Sequence, residues 1–311
     1  MMKKLLLILL CLPMIGFGQL TYVPDDNFEA YLENNGMGNG ILNDDYVTTA
    51  NINTVISLGV AYESIADLTG IEAFTALTSL DCPNNQLTIL DVSNNTALTQ
   101  ICCRDNQLTS INVSACTALD NLYCENNNLT ILDVSNNTAL TTLGCGNNQL
   151  TTLNLTQNIA LLGLFCDTNQ LTSINVSDNT ALWYLSCNEN QLTTLDLSNN
   201  SHLIQLMCQD NLLNSLDVRN GDEYLSLVYF NSERNPTLTC INVDSISFST
   251  GNWTAIDPQH YFSTNCSGTS IQEQTTNKEL LKVTDLLGRE TKGTNQPLFY
   301  IYDDGTVEKR I

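Results

Sequence analysis

The chain has 311 residues, 42% hydrophobic and only 14% charged, which is enough apolar material for a sizeable core. Its formal net charge is −22, and between Gln19 and Ser270 there are 26 acidic residues against three basic ones, Arg104, Arg219 and Arg234. Such a field repels phosphate backbones and anionic headgroups. It argues against nucleic acid and the membrane surface as partners, and it suits solubility in saline medium, a basic ligand or divalent cations.

The first 18 residues read as a signal peptide. Lys3 and Lys4 precede the apolar run Leu5 to Leu12, and Gly16-Phe17-Gly18 offers a small-x-small cleavage site before Gln19. The run is too short to span a bilayer. Cys11 follows Leu10 rather than the small residue that lipidation signals use. No other segment reads as transmembrane, so an exported chain is expected, in a compartment where disulfides persist. Residues 19–67 read as an N-terminal cap. Within it, "VPDDNFEAYLENNG" has the pattern of a short helix, with Asp25 or Asp26 as N-cap, Phe28, Tyr31 and Leu32 inward, and Gly36 as the stop. "IADLTGIEAFTALTSL", residues 65–80, then reads as a degenerate first coil.

From 68 to 245 the chain repeats. Cys82, Cys103, Cys124, Cys145, Cys166, Cys187 and Cys208 are each 21 residues apart. The same step carries asparagines from Asn85 to Asn211 and leucines from Leu87 to Leu213. Each unit has two similar halves, Leu80-Asp-Cys82 with Asn85 and Leu90-Asp-Val92 with Asn95. The pattern L-x-x-L-x-C-x-x-N-x-L resembles the leucine-rich repeat. The resemblance implies a solenoid, in which no single coil buries its apolar face and stacked coils bury a continuous one. The fold class expected is a mostly-β leucine-rich-repeat solenoid: two short parallel-ladder strands per 21-residue coil, a short N-terminal capping helix and a small C-terminal β domain.

The seven cysteines occupy an inward slot, where a free thiol serves as a small hydrophobe. In-register neighbours about 4.8 Å apart are too distant for disulfides, and a straight file cannot converge four ligands on a zinc ion. A buried thiol ladder is therefore expected. The asparagine amides are expected to satisfy the turns of adjacent coils.

Towards the C-terminus the period fades where Tyr229 falls at the cysteine step. Residues 246–270 read as a C-terminal cap, and the segment from Asn235 to Cys266 resembles the closing segment of bacterial leucine-rich-repeat proteins. Cys240 and Cys266 bracket this loop-rich cap in an exported chain, and a disulfide between them is expected. Cys102 and Cys116 find no partner in the sequence. Residues 271–311 hold six of the eleven lysines and arginines and read as strands at 280–283, 297–302 and 306–311. "KVTDLLGRE" and "YDDGTVEK" resemble the C-terminal sorting domain recognised by the type IX secretion machinery of Bacteroidota. That resemblance implies passage across the outer membrane and a secreted or surface-attached product.

No catalytic constellation emerges. His202 and His260 have no nucleophile at a recognisable spacing, and there is no phosphate-cradling glycine loop or zinc motif. The reading is that the chain is not an enzyme. The column Asp91, Asn112, Asp133, Asn154, Asn175, Asp196 and Asp217 is the one candidate for calcium, although its interspersed amides already relieve the carboxylate repulsion. Function is sought in the outward columns. Those of the second strand are monotonous, whereas those of the first vary and carry Tyr123, Phe165, Tyr184 and Met207 beside Arg104, Glu125 and Asp167. Aromatic residues amid polar neighbours compose an interface centre, and Trp183 borders it. The expected function is a recognition or adhesion module that takes a protein or glycan on this face. The alternative is a stiff acidic rod of a surface layer or matrix with no dedicated ligand.

Overall fold

The computed structural model describes residues 19–221 and 227–266, and the backbone of 280–284, 298–302 and 307–310. The chain divides into two compact units, Met1–Cys266 and Ser267–Ile311. The segment 1–18, read as a signal peptide, lies outside the described residues.

The first unit opens with a cap. Strand Leu20–Tyr22 pairs antiparallel with Tyr46–Thr48, and helix Asp26–Asn34 packs beneath them. Asp25 is the N-cap, its Oδ1 accepting from the backbone N–H of Asn27 and Phe28 at 3.0 Å. Its second oxygen accepts from Ala66 and Asp67, which ties the cap to the first coil. Phe28 and Leu32 are buried, while Tyr31 is only partly so. Gly36, at φ +73°, takes the left-handed conformation just past the helix.

The solenoid follows. One side is a nine-stranded parallel sheet formed by Ser57–Gly59, Ser79–Asp81, Gln100–Cys102, Asn121–Tyr123, Thr142–Gly144, Gly163–Phe165, Tyr184–Ser186, Gln205–Met207 and Tyr229–Asn231. It starts at Ser57, a strand ahead of the point where the sequence columns become visible. The middle residue of each strand and the residue just after it point inward; that second residue is Val60 in the first coil, Ser232 in the last and cysteine in the seven between, all fully buried. All seven thiols are free, so the file is a packed column rather than a chain of bridges.

Two asparagine columns clasp the coils. Asn148 Oδ1 accepts from Leu129 N at 2.9 Å, and its Nδ2 donates to the carbonyls of Cys124 and Cys145 at 3.0 and 3.1 Å. The residue before this asparagine is left-handed in every coil, from Asn84 (φ 56°) through Thr168 (φ 51°) to Arg234 (φ 57°). Most residues resist that conformation, and the buried amide after it fixes the turn. In the second column Asn95, Asn137, Asn158, Asn179 and Asn200 donate to carbonyls of the preceding coil, as Asn158 does to Val134 and Asn137 at 2.9 Å. Cys116 occupies this column in its own coil. Its Sγ lies 3.5 Å from Val92 O and 3.6 Å from Asn95 O, the carbonyls an asparagine would take.

The opposite side departs from the expectation of two complete ladders. Ile89–Asp91 pairs with Ser110–Asn112, and Thr194–Asp196, Ser215–Asp217, Cys240–Asn242 and Tyr261–Ser263 form a four-stranded sheet. Between them, 131–133, 152–154 and 173–175 form no strand. Packing is looser along this side as a whole: Leu153 is 9% exposed and Ile174 only partly buried, as is Ile111 in the laddered pair, whereas the leucines at the centres of the strands facing the middle coils are at 0%. The coils are laddered in every unit on the cysteine side, whereas in the middle coils the opposite side has no ladder and the inter-coil bonds continue through the turns, as from Gln149 N to Leu129 O at 2.9 Å, and through the second asparagine column.

The C-terminal register also corrects the sequence reading. Tyr229 pairs with Gln205, Phe230 with Leu206 and Asn231 with Met207. Ser232, not Tyr229, takes the cysteine slot, fully buried, and Asn235 takes the asparagine slot. This coil is three residues longer than the others, and the alternation of inward apolar residues brings the strand back into phase after the three added residues. Trp253 stacks on Phe230 with ring centroids 4.3 Å apart and closes the core. Cys240 and Cys266 are joined by a disulfide. In the second unit Leu280–Thr284, Leu298–Tyr302 and Val307–Arg310 form an antiparallel three-stranded sheet.

Candidate recognition face

The continuous sheet presents the outward residues of nine strands in register. Tyr123, Phe165 and Met207 are half-buried on it, and Tyr184 is exposed. The parallel register places Tyr123 beside Cys102 and Gly144, and Phe165 beside Gly144 and Ser186. Tyr123 and Phe165 are thus two coils apart, with a glycine between them.

That glycine seats a carboxylate. A Cβ on Gly144 would lie 2.1 Å from Glu125 Oε1, and one on Gly146 would lie 3.0 Å from Asp167 Oδ1. Both carboxylates lean over residues without side chains, Glu125 over the glycine that separates the two aromatic residues and Asp167 over Gly146. Arg104 closes the cluster from the other side, with its guanidinium 5.0 Å from the Tyr123 ring centre and Nε 3.8 Å from Glu125 Oε2. The Glu125 carboxyl is pushed above the ordinary glutamate range. Burial is the largest cause, Asp167 and Asp105 add to it, and Arg104 opposes. Cys102 stands on the same face, half-buried. Arg104, Tyr123, Glu125, Phe165 and Asp167 therefore form one patch, and Tyr184 and Met207 continue it on the next coils.

The remaining sequence candidates have structural occupations. Every member of the Asp91 to Asp217 column accepts, through Oδ1, the backbone N–H two residues on, as Asp91 does from Ser93 at 2.9 Å and Asp196 from Ser198 at 2.9 Å. The column makes turns. Among the described residues, the carboxylates that converge are Asp26, Glu29 and Asp45 in the N-terminal cap, with Glu29 accepting from the backbone of Asp44 and Asp45. His260 is buried in the C-terminal cap, its Nδ1 accepting from Asp257 N, and His202 is exposed. Burial raises the ladder thiols far from the thiolate form, Cys208 to about 12, and it raises Cys116 to about 11.

The varied columns were visible in the sequence, but the seats were not. Gly144 and Gly146 read there as two more varied letters. Their meaning depends on which neighbour leans over them, and a glycine pair flanked by acids in adjacent repeats is the signal that could have shown it.

Comparison with known proteins places the architecture. A family model described as the LVIVD repeat matches residues 83–103, 123–145 and 168–207, less than half of the chain. Internalin J of Listeria monocytogenes is 38% identical over 74 residues, which are 24% of this chain and 8% of that protein. The chain thus spans under a tenth of that relative's length. A leucine-rich-repeat protein of Leptospira interrogans superposes with a TM-score of 0.50 at 21% identity, covering 62% of this chain and 56% of that one. The functional domain of InlJ from Listeria monocytogenes, which includes a cysteine ladder, gives 0.41 at 27% identity over 79% and 70% of the two chains. The fold is that of leucine-rich-repeat proteins, and the sequence likeness includes a bacterial internalin. No helix among the described residues is long and apolar enough to cross a membrane.

Proposed function

We propose that this protein is a secreted or cell-surface recognition module that binds a protein or glycan through the face of its nine-stranded sheet. One observation carries the reading. The fold fixes the inward columns and the turns, yet on this one face neighbouring coils place tyrosine, glycine, phenylalanine, serine and methionine at equivalent positions. Aromatic side chains set amid charges, on a sheet that is hydrogen-bonded in every coil, form a preorganised contact surface. In this reading residues 1–18 direct export, and the three-stranded unit at the C-terminus hands the chain to type IX secretion machinery. The signal-like N-terminus and the sorting-domain resemblance of 271–311 support that part.

The test is capture by the immobilised full chain from surface proteins and polysaccharides. Beside it runs a variant carrying Tyr123→Ala, Phe165→Ala and Tyr184→Ala at matched thermal stability. A partner held by the parent and lost by the variant is the expected result. A partner held equally by both would move the site elsewhere, and no partner at all would favour the acidic rod.

A further inference from the structure

One column of the solenoid changes chemistry halfway along for no reason the fold supplies. The position just before each strand of the continuous sheet reads Ile56 in the first coil and Thr78, Thr99, Asp120 and Thr141 in the next four, then Leu162, Trp183, Ile204 and Val228 in the last four. In the Thr78 to Thr141 set the side chains satisfy themselves. Thr78 Oγ1 donates to Ile56 O at 2.8 Å, Thr99 Oγ1 to Thr78 O at 3.1 Å, and Thr141 Oγ1 to Asp120. The backbone is the same in both sets: Thr99 N donates to Thr78 O at 2.8 Å, Trp183 N to Leu162 O at 2.8 Å, and Val228 N to Ile204 O at 2.9 Å. Threonine therefore serves this position, and the four successive coils from Thr78 to Thr141 act as an internal control, with the exposed Ile56 standing alone ahead of them.

The apolar set faces outward. Leu162 is 41% exposed, Trp183 48% and Val228 58%, with Ile204 half-buried between the last two, and Tyr184 at 39% and Tyr229 at 63% lie in the adjoining column. Successive members sit in neighbouring coils, so the stripe is unbroken over roughly 15 Å. A contiguous exposed apolar stripe of this kind marks an interaction site more often than chance surface composition. On the opposite side of the solenoid, exposed Ile89 and Ile131 are separated by Ser110 and form no such stripe.

We infer that this stripe, with the acidic residues across the same strands, docks a protein surface that carries an apolar ridge flanked by lysine or arginine. This rests on the recognition reading above and narrows it. Three of the four stripe residues are aliphatic. Leu162, Ile204 and Val228 offer a sugar neither a flat ring nor a hydrogen bond, but they suit burial against another apolar side chain. The far edge of the same coils carries Asp167, Glu189, Asp210 and Glu233. Arg234 pairs with Asp210 and lies 4.0 Å from Glu233, whereas Asp167 and Glu189 have no lysine or arginine within ion-pair distance among the described residues. The complementary partner is positive.

Trp183 reports on the stripe. The other tryptophan, Trp253, is buried, with its indole N–H donated to Leu227 O at 3.0 Å. The full chain is titrated with the peptide acetyl-Lys-Leu-Lys-Val-Lys-Leu-Lys-amide, and separately with its Glu-for-Lys counterpart, while tryptophan emission is followed. The expected result is a saturable blue shift with the basic peptide, weakened about tenfold by 0.5 M salt, and at least about tenfold weaker binding of the acidic one. A double variant, Ile204→Thr with Val228→Thr, keeps the reporter and installs the residue the N-terminal coils already use. It should retain its unfolding midpoint and lose about tenfold in affinity. Absence of a saturable response to the basic peptide, equal binding of both peptides, or unchanged affinity in the double variant would each overturn the inference. So would a saturable response to chito- or cello-oligosaccharides alone, or a parent dimer in sedimentation that the double variant dissolves. If a captured partner is lost by the Tyr123, Phe165 and Tyr184 variant but kept by the threonine variant, the recognition reading stands and this inference alone falls. If both variants keep it, both fall.

Discussion

The two long sides of the solenoid are built from the same 21-residue unit and use it differently. On the cysteine side nine strands ladder without a break, the inward residues are sealed, and the outward residues vary from coil to coil. On the other side the ladder breaks in the middle coils, and the outward Asp or Asn is committed to a turn in every unit. Where backbone hydrogen bonds hold the coils together, the outward side chains are released from structural duty. On the other side the outward Asp or Asn closes the turn of its own coil whether or not the strand is laddered, and the surface is correspondingly uniform. The side free to vary is the side able to acquire a ligand.

Perturbing each layer should separate these roles. The largest effect is expected from Asn148→Ala, which strips Leu129 N of its acceptor and two carbonyls of their donor inside the cysteine side. A loss of about 4 kcal/mol is expected, read from the denaturant midpoint. The turn variant Asp133→Ala, on the exposed opposite side, should cost about 0.5 kcal/mol. Equal costs would erase the distinction between buried clasp and surface turn. Opening the Cys240–Cys266 bridge, which closes a loop of sequence separation 26, should cost about 3 kcal/mol and leave the ladder thiols unmodified. Cys145→Ser puts an unpartnered hydroxyl into a dry column and should cost about 2 kcal/mol. In the native state iodoacetamide should modify Cys102 well ahead of the seven ladder cysteines, since Cys102 alone of these is half-exposed. Rapid labelling of the ladder would mean that the column is not sealed.

The smallest effects are electrostatic and have opposite signs on the two sides. Backbone and side-chain hydrogen bonds from Ser93 and Ser135 hold Asp91 and Asp133 below the ordinary aspartate range. Their contribution to stability is present above that range, near pH 4, and is lost as pH falls through the native values. Asp91→Asn with Asp133→Asn should flatten the acid limb of the stability curve. Glu125 is raised mainly by burial, so the folded chain holds its proton more tightly than the unfolded chain does. Its ionisation works against folding as pH rises, and Glu125→Gln should gain stability at pH 7 relative to pH 4. A matching response in both variants would contradict the assignment of charge environments.

Much of this was legible in the sequence, because a repeat shows its constraints by repeating them. The cysteine, asparagine and leucine columns fixed the coil, its inward face and the fold class. The capping helix was readable from Asp25, Phe28 and Leu32. Three features were not. The extra three residues before Tyr229 hid behind the simple step of 21, and only the re-pairing of Phe230 with Leu206 shows that Ser232 inherits the cysteine slot. The broken second ladder depends on spacing between coils, which no single coil encodes. Glu125 folding over Gly144 is a relation between neighbouring coils and neighbouring columns, and reading each column alone conceals it.

The most direct test of the division between the two sides is to disrupt the wrong one. Ile89 and Ile131 are 62% and 76% exposed on the side opposite the continuous sheet. The measurement is the amount of partner captured by a full chain carrying Ile89→Ser and Ile131→Ser, compared with the parent and with the Tyr123→Ala, Phe165→Ala, Tyr184→Ala variant. The account predicts capture equal to the parent for the isoleucine variant and loss only for the aromatic one. Loss with the isoleucine variant and retention with the aromatic one would place recognition on the other side and contradict it.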